Sequence, residues 1–313
     1  MSEDNIIAEV ADLSCCCASC GHAEIDDIKL TECDGCDLVR YCSDACRELH
    51  RPEHAGKCRK RAAELRDELL FKQPESTHMG DCPICSLPLS LDPSKSSMYD
   101  CCSKVICNGC SHAYAMRVIE MRLQDACPCL FCRQPQLTTD EEAEKQNMRR
   151  VEANDPVTLY QEGIKQHKKG DNRKAFEYWS KAAELGDVLA QYNLAHLYFD
   201  GKGVEKDEGK SIRLMEEAAI AGHPFARCAL GNYEWNNNGN IERAVKHWII
   251  SATQGHDDAI KMLMDKFREG FVSKEKLAVA LRAHKAAVDA TKSPQREESE
   301  VYYRNTYWRT SRC

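Results

Sequence analysis

Ligand-type residues in close pairs dominate the first 132 positions of the chain. Cys17-Ala-Ser-Cys20, Cys33-Asp-Gly-Cys36, Cys42-Ser-Asp-Ala-Cys46 and His54-Ala-Gly-Lys-Cys58 make one run of pairs. Cys82-Pro-Ile-Cys85, the adjacent Cys101-Cys102, Cys107-Asn-Gly-Cys110 and Cys129-Leu-Phe-Cys132 make a second, and beyond Cys132 only Cys228 and Cys313 remain. A tetrahedral zinc ion takes four thiolate or imidazole ligands, and two ligands on one tight turn reach the same ion without strain. Eight ligands per run therefore imply two ions per run, four Zn2+ in all, and a fold organised around metal. About forty residues cannot build an adequate apolar core unaided.

The alternative use of twenty cysteines is a disulfide framework, but the start MSEDNIIAEVADLS is acidic and lacks the basic end and apolar run of a secretory signal. No run approaches the eighteen apolar residues of a membrane span, so a cytoplasmic or nuclear protein with no membrane partner is expected. A net charge of −7 disfavours nucleic acid as a partner, since phosphate binding needs a basic surface. No constellation for hydrolase or transferase chemistry is present, and no catalytic side chain is assigned.

Composition divides the chain into a zinc finger at 17–58, a helical linker at 59–78, a second finger at 79–136, a charged linker at 137–154, a helical repeat region at 155–290 and a tail at 291–313. Arg59 to Phe71 carries Ala62, Leu65 and Leu69 at helical spacing and reads as a short linking helix; Pro74 and Gly80 lie beyond its end. The charged segment from Thr139 suits an exposed helix between modules or, more simply, a solvated spacer, and the tail Val301 to Cys313 reads as a disordered end, with docking on the stack or on another chain as the alternative. In the repeat region, Ala182-Ala183-Glu184-Leu185-Gly186, Ala218-Ala219-Ile220-Ala221-Gly222 and Ser251-Ala252-Thr253-Gln254-Gly255 are successive copies. Trp179, Met215 and Trp248 stand seven residues before each glycine. Ala190-Gln191-Tyr192-Asn193-Leu194-Ala195 and Ala226-Arg227-Cys228-Ala229-Leu230-Gly231 give the second helix of a unit, with Ala259 and Leu263 at the same places later. Such a register predicts stacked antiparallel helix pairs, closed by a capping helix from Lys274 to Asp289.

These units resemble Sel1-like repeats, most closely from Ala190 to Gly222 with its loop Asp200-Gly201-Lys202-Gly203-Val204. The first run of ligand pairs, with Tyr41 before Cys42 and His50 four residues before His54, resembles a MYND zinc finger. That resemblance implies interleaved pairs: Cys17, Cys20, Cys42 and Cys46 on one ion, and Cys33, Cys36, His54 and Cys58 on the other. Cys15 and Cys16 are surplus, Cys17 being the better ligand; His50 is assigned to packing and His22 to the surface. MYND fingers as a family bind proline-rich peptides, which implies peptide partners here.

The second run resembles a RING finger of the all-cysteine kind. The resemblance implies Cys82, Cys85, Cys107 and Cys110 on one ion and Cys101, Cys102, Cys129 and Cys132 on the other, with Lys104 where most members carry a histidine and Cys127 as an alternative to Cys101. CPICSLPL, CCSKVICNGC and repeat units ending in ALRAHKAAVDATKSPQREE also resemble algal proteins that combine a RING with Sel1 repeats. The fold class expected is thus small zinc-stabilised α+β modules of MYND and RING-like cross-brace type, followed by an all-α Sel1-like solenoid. RING ligases bind a ubiquitin-loaded conjugating enzyme and have no nucleophile of their own. By that resemblance Ile84 and Arg133 are the residues that contact conjugating enzyme and ubiquitin, Arg133 being equally readable as a surface residue. The function expected is a zinc-dependent protein-interaction protein and candidate ubiquitin ligase, with the repeats and MYND finger holding clients; the alternative is a scaffold without transfer activity.

Overall fold

A computed structural model describes residues 16–25, 28–121, 128–135 and 139–310, with side chains as far as 304. It divides into two compact units, Met1–Lys72 and Gln73–Cys313.

The first unit has little regular structure before its helix. Strands β1 (Thr31–Glu32) and β2 (Arg40–Tyr41) pair antiparallel, Thr31 opposite Tyr41. The apolar core is small: Cys17, Leu30 and Tyr41 are its buried members. Helix α1 (Asp44–Leu70) starts at Ser43, whose hydroxyl accepts from the Cys46 N–H, with Asp44 favourably placed in the first turn. The sequence expectation was a short linking helix from Arg59 to Phe71; the structure has one helix of 27 residues that starts at Asp44 and runs through Pro52. Proline there leaves the Glu48 carbonyl without its helical donor. Tertiary contacts hold the helix together beyond the last ligand pair, because Arg61 bonds both carboxylate oxygens of Asp37 at 2.7 and 2.8 Å. Cys46, His50, His54 and Cys58 recur every four residues and so share one face of α1.

The second unit begins with a hairpin, β3 (Ser96–Tyr99) and β4 (Lys104–Cys107), Ser96 opposite Cys107. Helix α2 (Asn108–Glu120) follows, with the Cys107 sulfur accepting from the Cys110 N–H at its start. Leu89, Ile106, Cys82, Cys107 and Cys110 form the buried centre, with Tyr99 and Phe131 packed edge to face at 5.8 Å.

Ten helices follow among the described residues: α3 (Asp140–Glu152), α4 (Pro156–Lys168), α5 (Asn172–Glu184), α6 (Val188–Asp200), α7 (Glu208–Ile220), α8 (Pro224–Asn236), α9 (Ile241–Thr253), α10 (Asp257–Arg268), α11 (Lys274–Ala290) and α12 (Pro294–Thr310). The Ala-Ala-x-x-Gly signature has a physical basis. Gly186, Gly222 and Gly255 take φ of 88°, 84° and 88°, a left-handed exit that only glycine enters without penalty. The small residues before them, Ala182, Ala218 and Ala252, are fully buried where neighbouring helices meet. The large positions pack against equally specific partners. A Cβ on Gly163 would lie 2.3 Å from Trp179 Nε1, and one on Gly231 would lie 2.6 Å from Trp248 Nε1, so each indole fills the space a missing side chain leaves. In the middle unit the equivalent positions hold Ala195 and Met215, a larger residue with a smaller partner.

The segments expected to be spacer and loose tail are both structured. Helix α3 has no buried residue, yet its Arg150 donates to the Asp100 carbonyl at 2.7 Å, contacts Ser103 Oγ and pairs with Asp155 at 2.8 Å. Helix α12 returns to pack on α2, the His112 ring lying 4.5 Å from that of Tyr302. Residues 311–313 of the tail lie outside the described residues. Between Gln73 and Gly80 the chain runs along the repeat ends: Thr253 donates to Gln73 at 2.8 Å and the His78 N–H to the Gly222 carbonyl at 3.0 Å.

Candidate metal centres

Three of the CxxC pairs share one backbone device. In Cys17–Cys20, Cys82–Cys85 and Cys129–Cys132, the N–H of the residue after the second cysteine donates to the carbonyl of the first at 2.9, 2.8 and 3.1 Å. The first cysteine's N–H in turn donates to the carbonyl of His22, Leu87 or Gln134 at 2.8, 2.9 and 2.8 Å. Such a knuckle needs a left-handed residue at its exit, and Gly21, Ser86 and Arg133 supply it with φ of 75°, 54° and 61°. Both cysteine side chains of a knuckle thereby project to the same side.

The knuckles meet the other pairs in four groups: Cys17, Cys20, Cys42 and Cys46; Cys33, Cys36, His54 and Cys58; Cys82, Cys85, Cys107 and Cys110; Cys101, Cys102, Cys129 and Cys132. Within each, all ligand atoms lie within 4.8 Å of one another. Sulfur separations are 3.5 Å for Cys20 and Cys42, 3.7 Å for Cys33 and Cys58, 3.9 Å for Cys85 and Cys107, 3.6 Å for Cys102 and Cys129, and 3.4 Å for Cys101 and Cys132. A disulfide needs about 2.05 Å, whereas four sulfurs about 2.3 Å from one tetrahedral ion lie about 3.8 Å apart. Cys101 thus lies in the fourth group; Cys127 is outside the described residues, as are Cys15 and Cys313. Lys104 is exposed on β4.

The electrostatics agree with a cation at each centre. One sulfur per group is held low. Burial pushes Cys17 up, but backbone N–H groups, Cys20's foremost, outweigh it and bring the thiol down to about 6; Cys82 and Cys129 come to about 7 in the same way, and Cys33 is also lowered. The neighbours rise: the sulfurs of Cys20 and Cys46 push Cys42 up to about 12, and burial with the Cys33 sulfur pushes Cys58 up to about 11. The first thiolate of a group therefore opposes the next, and a divalent ion removes that opposition. His54 presents Nε2 at 3.2 Å from Cys36 Sγ, and burial lowers its pKa, favouring the neutral imidazole that ligates metal. The donor sets fit four zinc ions.

His50 stacks on His54 at 5.5 Å and meets the Tyr41 hydroxyl through Nδ1 at 3.1 Å, so it orients the ligand ring. His22 is exposed, as read from sequence, and its Nδ1 lies 3.1 Å from Cys20 Sγ. Two residues that sequence reasoning missed also support the centres. Arg150 holds the turn that carries Cys101 and Cys102, and Arg296 of α12 donates to Cys85 Sγ at 3.3 Å. Burial works against the Arg296 charge, and the sulfurs of Cys85 and Cys107 more than restore it. Cys228 is buried, which pushes its thiol up to about 12, and it takes part in no group. Ile84 is 47% exposed between two ligands, and Arg133 is exposed with no pairing partner among the described residues.

Small cysteine-rich zinc modules followed by stacked helix pairs define a zinc-binding protein built for contact with other proteins. Comparison with known families makes this specific: the MYND finger model matches residues 17–58, and the Sel1 repeat model matches 158–187, 188–223 and 224–256. The chain carries a MYND finger and three Sel1 repeats. It is similar to Chitin synthase regulatory factor 4 of Schizosaccharomyces pombe (strain 972 / ATCC 24843), 33% identical over 92 residues covering 29% of this chain and 14% of that protein. It is similar also to an Exopolysaccharide production negative regulator of Rhizobium leguminosarum bv. viciae, 34% identical over 67 residues, 21% of this chain and 25% of that one. The similarity spans a quarter or less of the length of these curated relatives. Among solved structures, a Sel1 repeat protein from Oxalobacter formigenes matches at 20% identity and TM-score 0.41, over 48% of this chain and 64% of that one. No helix among the described residues is long and apolar enough to cross a membrane.

Proposed function

We propose that the chain is a ubiquitin ligase of the RING type, in which the second zinc module docks a ubiquitin-loaded conjugating enzyme while the MYND finger and the Sel1 stack hold partner proteins. The observation that carries this reading is the pair of knuckles of that module. One presents Ile84 exposed between Cys82 and Cys85, and the other presents Arg133, exposed and unpaired among the described residues, directly after Cys132. An arginine in the left-handed region costs about 1–2 kcal/mol relative to glycine, and the exit turn of the knuckle itself does not require the guanidinium. A guanidinium offers bidentate donation to a partner, and fixing a thioester in attack-ready orientation accelerates transfer without a nucleophile on the ligase. Zinc supplies no step; it fixes the two knuckles relative to each other. The sixteen grouped residues would hold it, and cysteines spaced for metal and not for disulfides support a reading of a reducing compartment, cytoplasm or nucleus.

A scaffold without transfer activity is the second reading, and two relatives named as regulators favour it. Ubiquitin chain formation with a panel of conjugating enzymes separates the two. Arg133→Gly is the informative variant, since glycine keeps the knuckle while removing the guanidinium. Chain formation abolished by Arg133→Gly and Ile84→Ala at unchanged zinc content supports the ligase; no chains with any enzyme, from protein that holds its full zinc, rejects it.

A further inference from the structure

Arg296 lies in the first turn of α12, more than two hundred residues from the zinc knuckle it reaches. Its guanidinium donates through one nitrogen to the carbonyls of Pro88 and Thr291, both at 2.7 Å, and through the other to the Leu87 carbonyl at 3.1 Å and Cys85 Sγ at 3.3 Å. The residue is 7% exposed. The start of α2 is shaped for this approach. A Cβ on Gly109, between the ligands Cys107 and Cys110, would lie 3.0 Å from the Arg296 backbone, tighter than most packed contacts, so α12 would have to give way by a few tenths of an ångström. Outside this clasp the joint is loosely filled: a cavity of about 580 Å³ runs along it, bounded by Leu89, Asn108, Gln254, Val288 and Arg296 itself.

Four thiolates around one Zn2+ carry a net charge of about −2, which is costly to bury without compensation. Among the described residues, no other cationic side chain hydrogen-bonds to Cys82, Cys85, Cys107 or Cys110. We propose that Arg296 is the counter-charge and positioning residue of this third zinc centre, so that metal occupancy there and docking of α12 on the second module stabilise each other. The three carbonyl bonds hold the guanidinium in place, and the remaining donor neutralises thiolate charge. By linkage, whatever the docked helix contributes to zinc affinity, zinc contributes equally to helix docking. The C-terminal helix thereby reports the state of a metal site formed two hundred residues earlier in the chain.

The full-length protein tests this in a chelator titration followed by native mass spectrometry, with amide hydrogen exchange on the same samples. Arg296→Gln is expected to release one of the four zinc ions at roughly 10- to 100-fold lower chelator, the range for loss of a partner that holds a metal ligand. The other three ions should leave as in the wild type, and residues 294–310 should lose exchange protection in the same step that removes the first. Arg296→Lys, which keeps one charge and fewer donors, should fall between. Lys95→Ala cuts a different ionic tie of α12, the 2.9 Å pair with Glu300, without touching a zinc ligand, and should leave zinc release unchanged. The assignment fails if Arg296→Gln follows the wild-type curve, if Lys95→Ala shifts zinc release as far as Arg296→Gln, or if wild-type α12 stays protected after the third centre is emptied.

Discussion

The stacked histidines at the repeat ends make the second unit sensitive to acid in a way that can be calculated. His223 is 2% exposed, stacked between His78 at 4.2 Å and Tyr192 at 4.5 Å, and its Nδ1 accepts the Ala226 N–H at 3.1 Å to cap α8. That bond requires a neutral ring. Burial first, then the nearby His78, His256 and His196, depress its pKa to about 2. The unfolded value is about 6.5, so between the two the unfolded chain binds the extra proton. Stability is full above 6.5 and falls by about 1.4 kcal/mol per pH unit as pH drops below it. From pH 7 to pH 5 this one ring costs about 2 kcal/mol. His78, at about 4, and His247, at about 3, add to the same trend, while Asp257 and Asp258 beside His256 oppose it. His223→Asn keeps a capping acceptor and removes the titration. Urea unfolding at pH 7 and pH 5, followed by far-ultraviolet dichroism, should show the variant losing about 2 kcal/mol less than the wild type. Acid also weakens the zinc centres, but equally in both proteins, so the difference isolates the imidazole. Identical losses in the two would refute the reasoning.

The metal centres and the repeats give three further expectations. His54→Ala should reduce bound zinc from four equivalents to three by elemental analysis, whereas His50→Ala should retain four and only speed release to a chelator, because its ring orients a ligand without being one. Gly231→Ala forces a methyl to within 2.6 Å of Trp248 Nε1 and should lower stability by about 1–3 kcal/mol with a change in tryptophan emission; an unchanged melting curve would show that the indole has room to move. Complete zinc removal should unfold the first unit, whose apolar core is so small, while the dichroism of α4 to α9 persists.

What was legible in the sequence was whatever depends on short-range spacing. A CxxC pair fixes its own geometry, so the sixteen residues that gather into four groups stood out as pairs, and the interleaving followed from family resemblance. The Ala-Ala-x-x-Gly endings were legible because each combines a left-handed exit with a small buried side chain, two demands met locally. The continuity of α1 was not, since Pro52 argues for a break and the contact that opposes it, Arg61 with Asp37, joins residues 24 apart. Arg150 and Arg296 were invisible for a related reason. Each is one long cation among 43 lysines and arginines, and its role depends on where the folded chain returns.

The clasps at Arg150 and Arg296 bind the opposite ends of the helical stack to a single zinc module, so this part of the molecule is a loop closed on itself. Solenoids open at both ends tolerate gain or loss of a repeat, because each unit meets only its neighbours. Here one extra helix pair would carry α12 away from α2 by roughly two interhelical spacings of 8–10 Å and break the circuit. The length of the array is therefore set by geometry, and duplication within it is closed off as a route of variation.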